Sequence, residues 1–93
     1  MTMNEILKTL DNYTELLLIA DKIVNVVEGH NYEATEVRKS NGDDNYLIVD
    51  CYDTSLPYYV NVRIKVPVTL FTDTEGLKDR ANRLKQAGVI NRV

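Results

Sequence analysis

What the chain has little of narrows it first. Cys51 is the only cysteine, so no intrachain disulfide forms and a cysteine-based zinc site within one chain is excluded. That usage fits a reducing, intracellular compartment. His30 is the only histidine, tryptophan is absent, and the four glycines are isolated. Neither a Walker loop nor a dinucleotide fingerprint can be read from glycines so placed. No window approaches the roughly eighteen apolar residues of a membrane span; Leu16 to Ala20 is the longest clear run on the leading helix. Glu5 precedes the first lysine, and no apolar core leads to a small-residue cleavage site. The expectation is a soluble cytoplasmic protein with no membrane segment.

The chain has 93 residues, which predicts a single domain spanning 1–93, near the small end of what folds alone. At this size area burial nearly cancels conformational entropy, and with disulfides and cysteine-based zinc excluded, oligomerisation is the remaining aid. The net charge of −3 hides an asymmetry. Before residue 60, eleven acids face four bases, a balance of −7; from residue 60 on, seven bases face three acids, a balance of +4. Such asymmetry bears on partners and association, not on fold.

The stretch from Met3 to Val27 organises the rest. Met3, Ile6, Leu10, Tyr13, Leu17, Ala20, Val24 and Val27 recur in steps of three and four, a seam sustained over roughly three and a half heptads. Leu16, Ile19, Ile23 and Val26 widen the apolar surface beside it. Thr2 and Glu5 form a capping box, Met1 staples onto Ile6, and Asp11-Asn12 marks a bend in one continuous helix. Gly29 suits the left-handed position after its end. At ~1.5 Å per residue the helix would run nearly 40 Å, more than a sheet of three short strands covers.

Alternation predicts the strands. Tyr32–Lys39 is the first, and Asn41-Gly42 with Asp43-Asp44-Asn45 makes a loop longer than a minimal hairpin. In Tyr46–Tyr52, Leu47, Val49 and Cys51 face one way, against Tyr46, Ile48, Asp50 and Tyr52. Tyr58–Val66 is the clearest strand, with Tyr58, Val60, Val62, Ile64 and Val66 on one side, and Pro67 ends it or sits at an edge. Thr72 and Glu75 read as a second capping box. Leu77, Ala81, Leu84 and Gly88 share a helical face, and Val89-Ile90 is a short apolar tail that packs back. The predicted class is α+β: a long N-terminal helix, a three-stranded antiparallel sheet and a C-terminal helix, αβββα.

Chemistry is sparse. A general base at His30 needs a nucleophile, and Cys51, the only candidate, sits in no elbow or glycine-rich turn. Asn41–Asn45 lacks the spaced acids, sixth-position glycine and twelfth-position glutamate of a calcium loop. The expectation is a protein that is not an enzyme and holds no metal or cofactor. The C-terminal helix carries Lys78, Arg80, Arg83 and Lys85, yet the acids near its start and the pI of about 5 disfavour direct nucleic-acid binding. Six of the seven aromatic residues are tyrosine. Tyr46, Ile48, Tyr52 and Tyr59 would share the sheet face away from the long helix, rimmed by Asp50, Arg63 and Lys65. That composition suits either a protein contact surface or a face covered by the second helix.

The acids before residue 60 either keep a small domain in solution or imitate duplex phosphates on a rigid scaffold. In size, element order and the acids Glu15, Asp21, Glu28, Glu33, Glu36, Asp43 and Asp44, the chain resembles small phage-encoded inhibitors, the Arn-type anti-restriction DNA mimics. The resemblance implies an intracellular protein that presents those seven carboxylates to a host DNA-binding or restriction protein and blocks it. The alternative from the residues themselves is a small assembly or adaptor subunit acting through its apolar helix and tyrosine face. In either case the width of the first helix predicts a homodimer.

Overall fold

A computed structural model describes residues 13–93. The Thr2/Glu5 capping box, the Met1–Ile6 staple, the seam positions Met3, Ile6 and Leu10 and the bend at Asp11-Asn12 lie outside them. The order is α1 (Tyr13–Val27), β1 (Tyr32–Lys39), β2 (Tyr46–Asp53), β3 (Val62–Pro67), a single-turn α2 (Thr69–Thr72), α3 (Leu77–Gln86) and β4 (Asn91–Arg92). The strands form one antiparallel sheet in the order β1-β2-β3-β4. The class is α+β as expected, but the sheet has four strands rather than three, and a helical turn precedes the last helix.

On α1 the buried residues are Leu16, Ala20, Ile23, Val24 and Val27. Leu16 and Ile23, expected beside the seam, are at its centre, while Leu17 is partly buried and Tyr13 is half-exposed. The seam is rotated because a second row of α1 is committed elsewhere. Tyr13, Asp21 and Asn25 reach the side of β1 that faces no strand. The Tyr13 hydroxyl accepts from Val37 N at 2.9 Å and donates to Val37 O at 3.3 Å. Asp21 Oδ1 accepts from Ala34 N at 3.0 Å, and Asn25 Nδ2 donates to Tyr32 O at 3.1 Å. The lengths match: twelve residues of helix rise about 18 Å, and Tyr32 to Val37 spans about 17 Å of strand. The helix thus stands in for a neighbouring strand, and the sheet edge offers few open backbone groups to another chain.

A bulge at Thr35 shifts the β1–β2 register between Ala34 and Glu36. It lets Ala34 and Val37, three residues apart, both pack against the core. Leu47, Val49 and Cys51 of β2 are fully buried, as are Ile64 and Val66 of β3. Strand β3 is shorter than alternation predicts. Asp53 Oδ1 accepts from Ser55 N at 2.9 Å, and Thr54 N donates to Asn31 O at 2.9 Å. The first makes a local turn and the second ties the chain leaving β2 to the residue before β1, and Tyr58–Asn61 runs outside the ladder. Val60, expected in the core, is therefore 47% exposed, and Val62 is only partly buried.

Thr72 closes the turn α2, which buries Leu70 and Phe71, so the Thr72/Glu75 capping box does not start α3. Gly76 precedes α3 in the left-handed region at φ 62°, and the Arg80 side chain donates to the Asp73 and Glu75 carbonyls to hold the approach. The end of α3 is a Schellman motif: Val89 N bonds Leu84 O at 2.8 Å and Gly88 N bonds Lys85 O at 3.0 Å. This turns Ile90 into the core, 2% exposed, and lays Asn91 and Arg92 beside Lys65 and Ile64. Two polar residues give no strand signal in a sequence, so β4 follows from the packing of Ile90. α3 packs on α1, on the core side of the sheet.

Candidate protein-interaction surface

With both longer helices on one side, no described helix covers the other face of the sheet. Of the two readings of the tyrosine face, coverage by the second helix is thus not what the described residues show. The register arranges this face in rows. Glu36, Asp50 and Arg63 lie side by side, and the adjacent row is Arg38, Ile48, Lys65 and Asn91.

Asp50 is the centre of that surface. It is a charged residue only 6% exposed, and burying a carboxylate is unfavourable unless it is paired. Arg38 Nη2 approaches its Oδ1 at 3.2 Å and Arg63 Nε approaches the same oxygen at 3.6 Å. One carboxylate therefore sits against two guanidinium groups, each more than a third exposed. Lys65 Nζ stands 4.1 Å from the centre of the Tyr46 ring, a cation–π geometry, and 3.9 Å from Asp43 Oδ2. Beyond Asp50, the Tyr52 and Tyr59 rings lie 4.9 Å apart at 42°. The loop leading to β3 continues the aromatic surface: Leu56, Tyr58, Tyr59 and Val60 are all exposed.

The acids expected to bind a partner are dispersed. Asp21 holds the β1 edge. Glu28 is paired bidentately with Arg92, whose Nη2 lies 2.6 Å from Oε2 and Nε 3.0 Å from Oε1. Asp43 accepts from Asn45 N within the hairpin loop and faces Lys65. Glu15 is exposed on α1, Glu33 and Glu36 on β1, and Asp44 in the loop. The Tyr52 hydroxyl donates to Glu33 Oε2 at 3.5 Å, at the limit of a hydrogen bond. Sequence reasoning missed Arg38. Its place on the outer face depends on the Thr35 bulge, which no residue type announces.

His30 and Cys51 are separated by the fold: His30 is in the exposed turn after α1, and Cys51 points into the core. Burial pushes the Cys51 thiol up to about 12, with the nearby Glu28 charge adding to the shift. A thiol so placed is a poor nucleophile. Among the described residues no cluster of three or more histidine, cysteine or acidic side chains is arranged to hold a metal ion. No described helix is long and apolar enough to cross a membrane. A shallow groove of about 680 Å³ lies between α1 and the start of α3, lined by Leu18, Ile19, Lys22 and Leu77 among others.

In comparisons with known protein families, curated proteins and solved structures, nothing matches this chain.

Proposed function

We propose that this is a non-enzymatic protein-binding domain of a reducing compartment, working through the outer face of its sheet. The observation that carries the reading is that this face combines aromatic surface with a half-shielded ion cluster and lies under no described helix. Tyrosine and arginine are the residue types that dominate binding energy at protein interfaces. Their rigid presentation on paired strands limits the entropy lost on association. This corresponds to an assembly or adaptor subunit.

The phage-type inhibitor reading stands beside it, supported by the exposure of Glu15, Glu33, Glu36 and Asp44. In that reading the carboxylates imitate a duplex and occupy a host DNA-binding or restriction protein. A salt titration of partner binding separates the two. A duplex mimic, which spreads its contacts over many charges, loses affinity steeply as salt rises, whereas a sheet face with only two recognising arginines among aromatic contacts has a shallower slope.

Pairing of two copies through α1 is a further proposal. Most of the apolar width of α1 is taken by the sheet and α3, but Leu18 is 58% exposed beside the groove. Sedimentation at micromolar concentration should then report about twice the 10.6 kDa chain mass; a clean monomer would remove this pairing.

A further inference from the structure

The ion cluster of the outer face is unbalanced, and the imbalance opens into a cleft. Arg38, Arg63, Ile48, Ser40, Asn41 and Val93 are among the residues lining a space of about 390 Å³ across β1, β2 and β3. Ile48 provides a partly buried apolar floor between the strands. Arg38 donates to one oxygen of Asp50 and Arg63 stands 3.6 Å from the same oxygen, so the carboxylate draws both guanidinium groups toward one point. A guanidinium carries five N–H donors, and a single carboxylate oxygen satisfies only a small share of ten. Most of that donor capacity therefore faces the cleft and water. Glu36 is the register partner of Asp50 but does not line the cleft. The lining is thus cationic, although the whole chain is acidic.

We infer that this cleft binds carboxylate side chains of an acidic segment in a protein partner, with Arg38 and Arg63 as the recognising pair. The inference rests on the sheet-face reading and adds the chemistry of its partner. Planar guanidinium groups match planar carboxylates in two-point hydrogen bonds, which a lysine pair does not offer. Asp50 has two opposed effects: it pre-positions the arginines, and its charge partly offsets theirs. An incoming carboxylate has to compete with it. That competition makes the identity of residue 50 diagnostic.

The test is a titration of the ¹⁵N-labelled chain with a hexaglutamate peptide, with inorganic phosphate as a separate arm. The peptide should shift the amide resonances of Arg38, Ile48 and Arg63 saturably. Arg63→Gln, and the Arg38→Gln/Arg63→Gln pair, should weaken it roughly tenfold or more, as expected on losing a charge-assisted two-point contact. Asp50→Asn, if it keeps the native spectrum, should bind the peptide more tightly than the parent. Peptide affinity unchanged in Arg63→Gln, or shifts confined to other faces, would overturn the inference. So would phosphate binding as tightly as peptide, which marks a small-anion site. Loss of peptide binding in Tyr59→Ala but not in the arginine variants would overturn it too, while leaving the sheet-face reading in place.

Discussion

Cys51 and Glu28 show how single side chains are used here. The Cys51 thiol titrates at about 12 in the folded chain against a reference of 9.0 because burial disfavours the thiolate. The folded state thus holds the proton more tightly, so this contribution to stability is complete below about pH 9 and is lost as pH rises from there toward about 12. Labelling with a thiol-specific disulfide reagent at pH 8 should proceed only as fast as the chain opens, and should accelerate in urea. Rapid stoichiometric labelling of the folded protein would contradict the buried assignment. Glu28 follows α1, where the helix dipole disfavours an anion, and Arg92 compensates from β4 through three hydrogen bonds to one carboxylate. Arg92→Ala leaves that carboxylate, largely buried at 10% side-chain exposure, without its partner. It should lower stability by about 1–3 kcal/mol, discounted from a fully buried pair because Arg92 faces water. Urea unfolding of Arg92→Ala checks this; no change would mean that water replaces the pair.

At the scale of elements, α1 both caps the core and closes the edge of β1. Asp21→Ala should free the Ala34 amide on an edge with no strand beside it, lowering stability by about 1 kcal/mol and increasing concentration-dependent association. Light scattering against concentration reads the second effect, and a variant that stays monodisperse would argue against edge protection. In β3, Ile64→Ala should lower stability by about 2–5 kcal/mol from lost burial and a cavity, whereas Val60→Ala should change it by less than about 0.5 kcal/mol. Denaturant midpoints for the two variants test whether the ladder begins at Val62. These elements also show what a sequence reveals. Both faces of β2 were legible because alternation is a local signal, and the Asn-Gly turn marked where β1 ends, although β1 itself does not alternate. Ala20, Val24 and Val27 of the α1 seam are buried as read, but Leu16 and Ile23 take the places expected of Tyr13 and Leu17, because Tyr13, Asp21 and Asn25 are committed to the β1 edge, a tertiary contact that periodicity does not report. Tyr58–Asn61 has the alternation of a strand but follows a turn in which Asp53 binds Ser55 locally and Thr54 binds Asn31, a tertiary contact that alternation does not report. β4 has no pattern at all.

For the whole molecule, the decisive arrangement is two-sided. The core, α1 and α3 occupy one side of the sheet, and the other side carries Tyr46, Ile48, Tyr52, Tyr59 and the Arg38–Asp50–Arg63 cluster. The tyrosine part of that surface was readable from alternation once β2 was placed. Asp50 and Arg63 were placed on its rim as well; Arg38 was not, because it reaches Asp50 only across the bulged β1–β2 register. The dispersed acids belong to the same molecular picture: Asp21 and Glu28 serve the fold, and those that remain exposed lie on α1, β1 and the hairpin loop. The most direct measurement is partner retention on the immobilised full chain, compared between two variants that each keep the native fold. One carries Tyr59→Ala with Arg63→Ala; the other carries Glu15→Gln, Glu33→Gln, Glu36→Gln and Asp44→Asn. The account predicts that the first loses the partner and the second retains it. Retention by the first and loss by the second would contradict it.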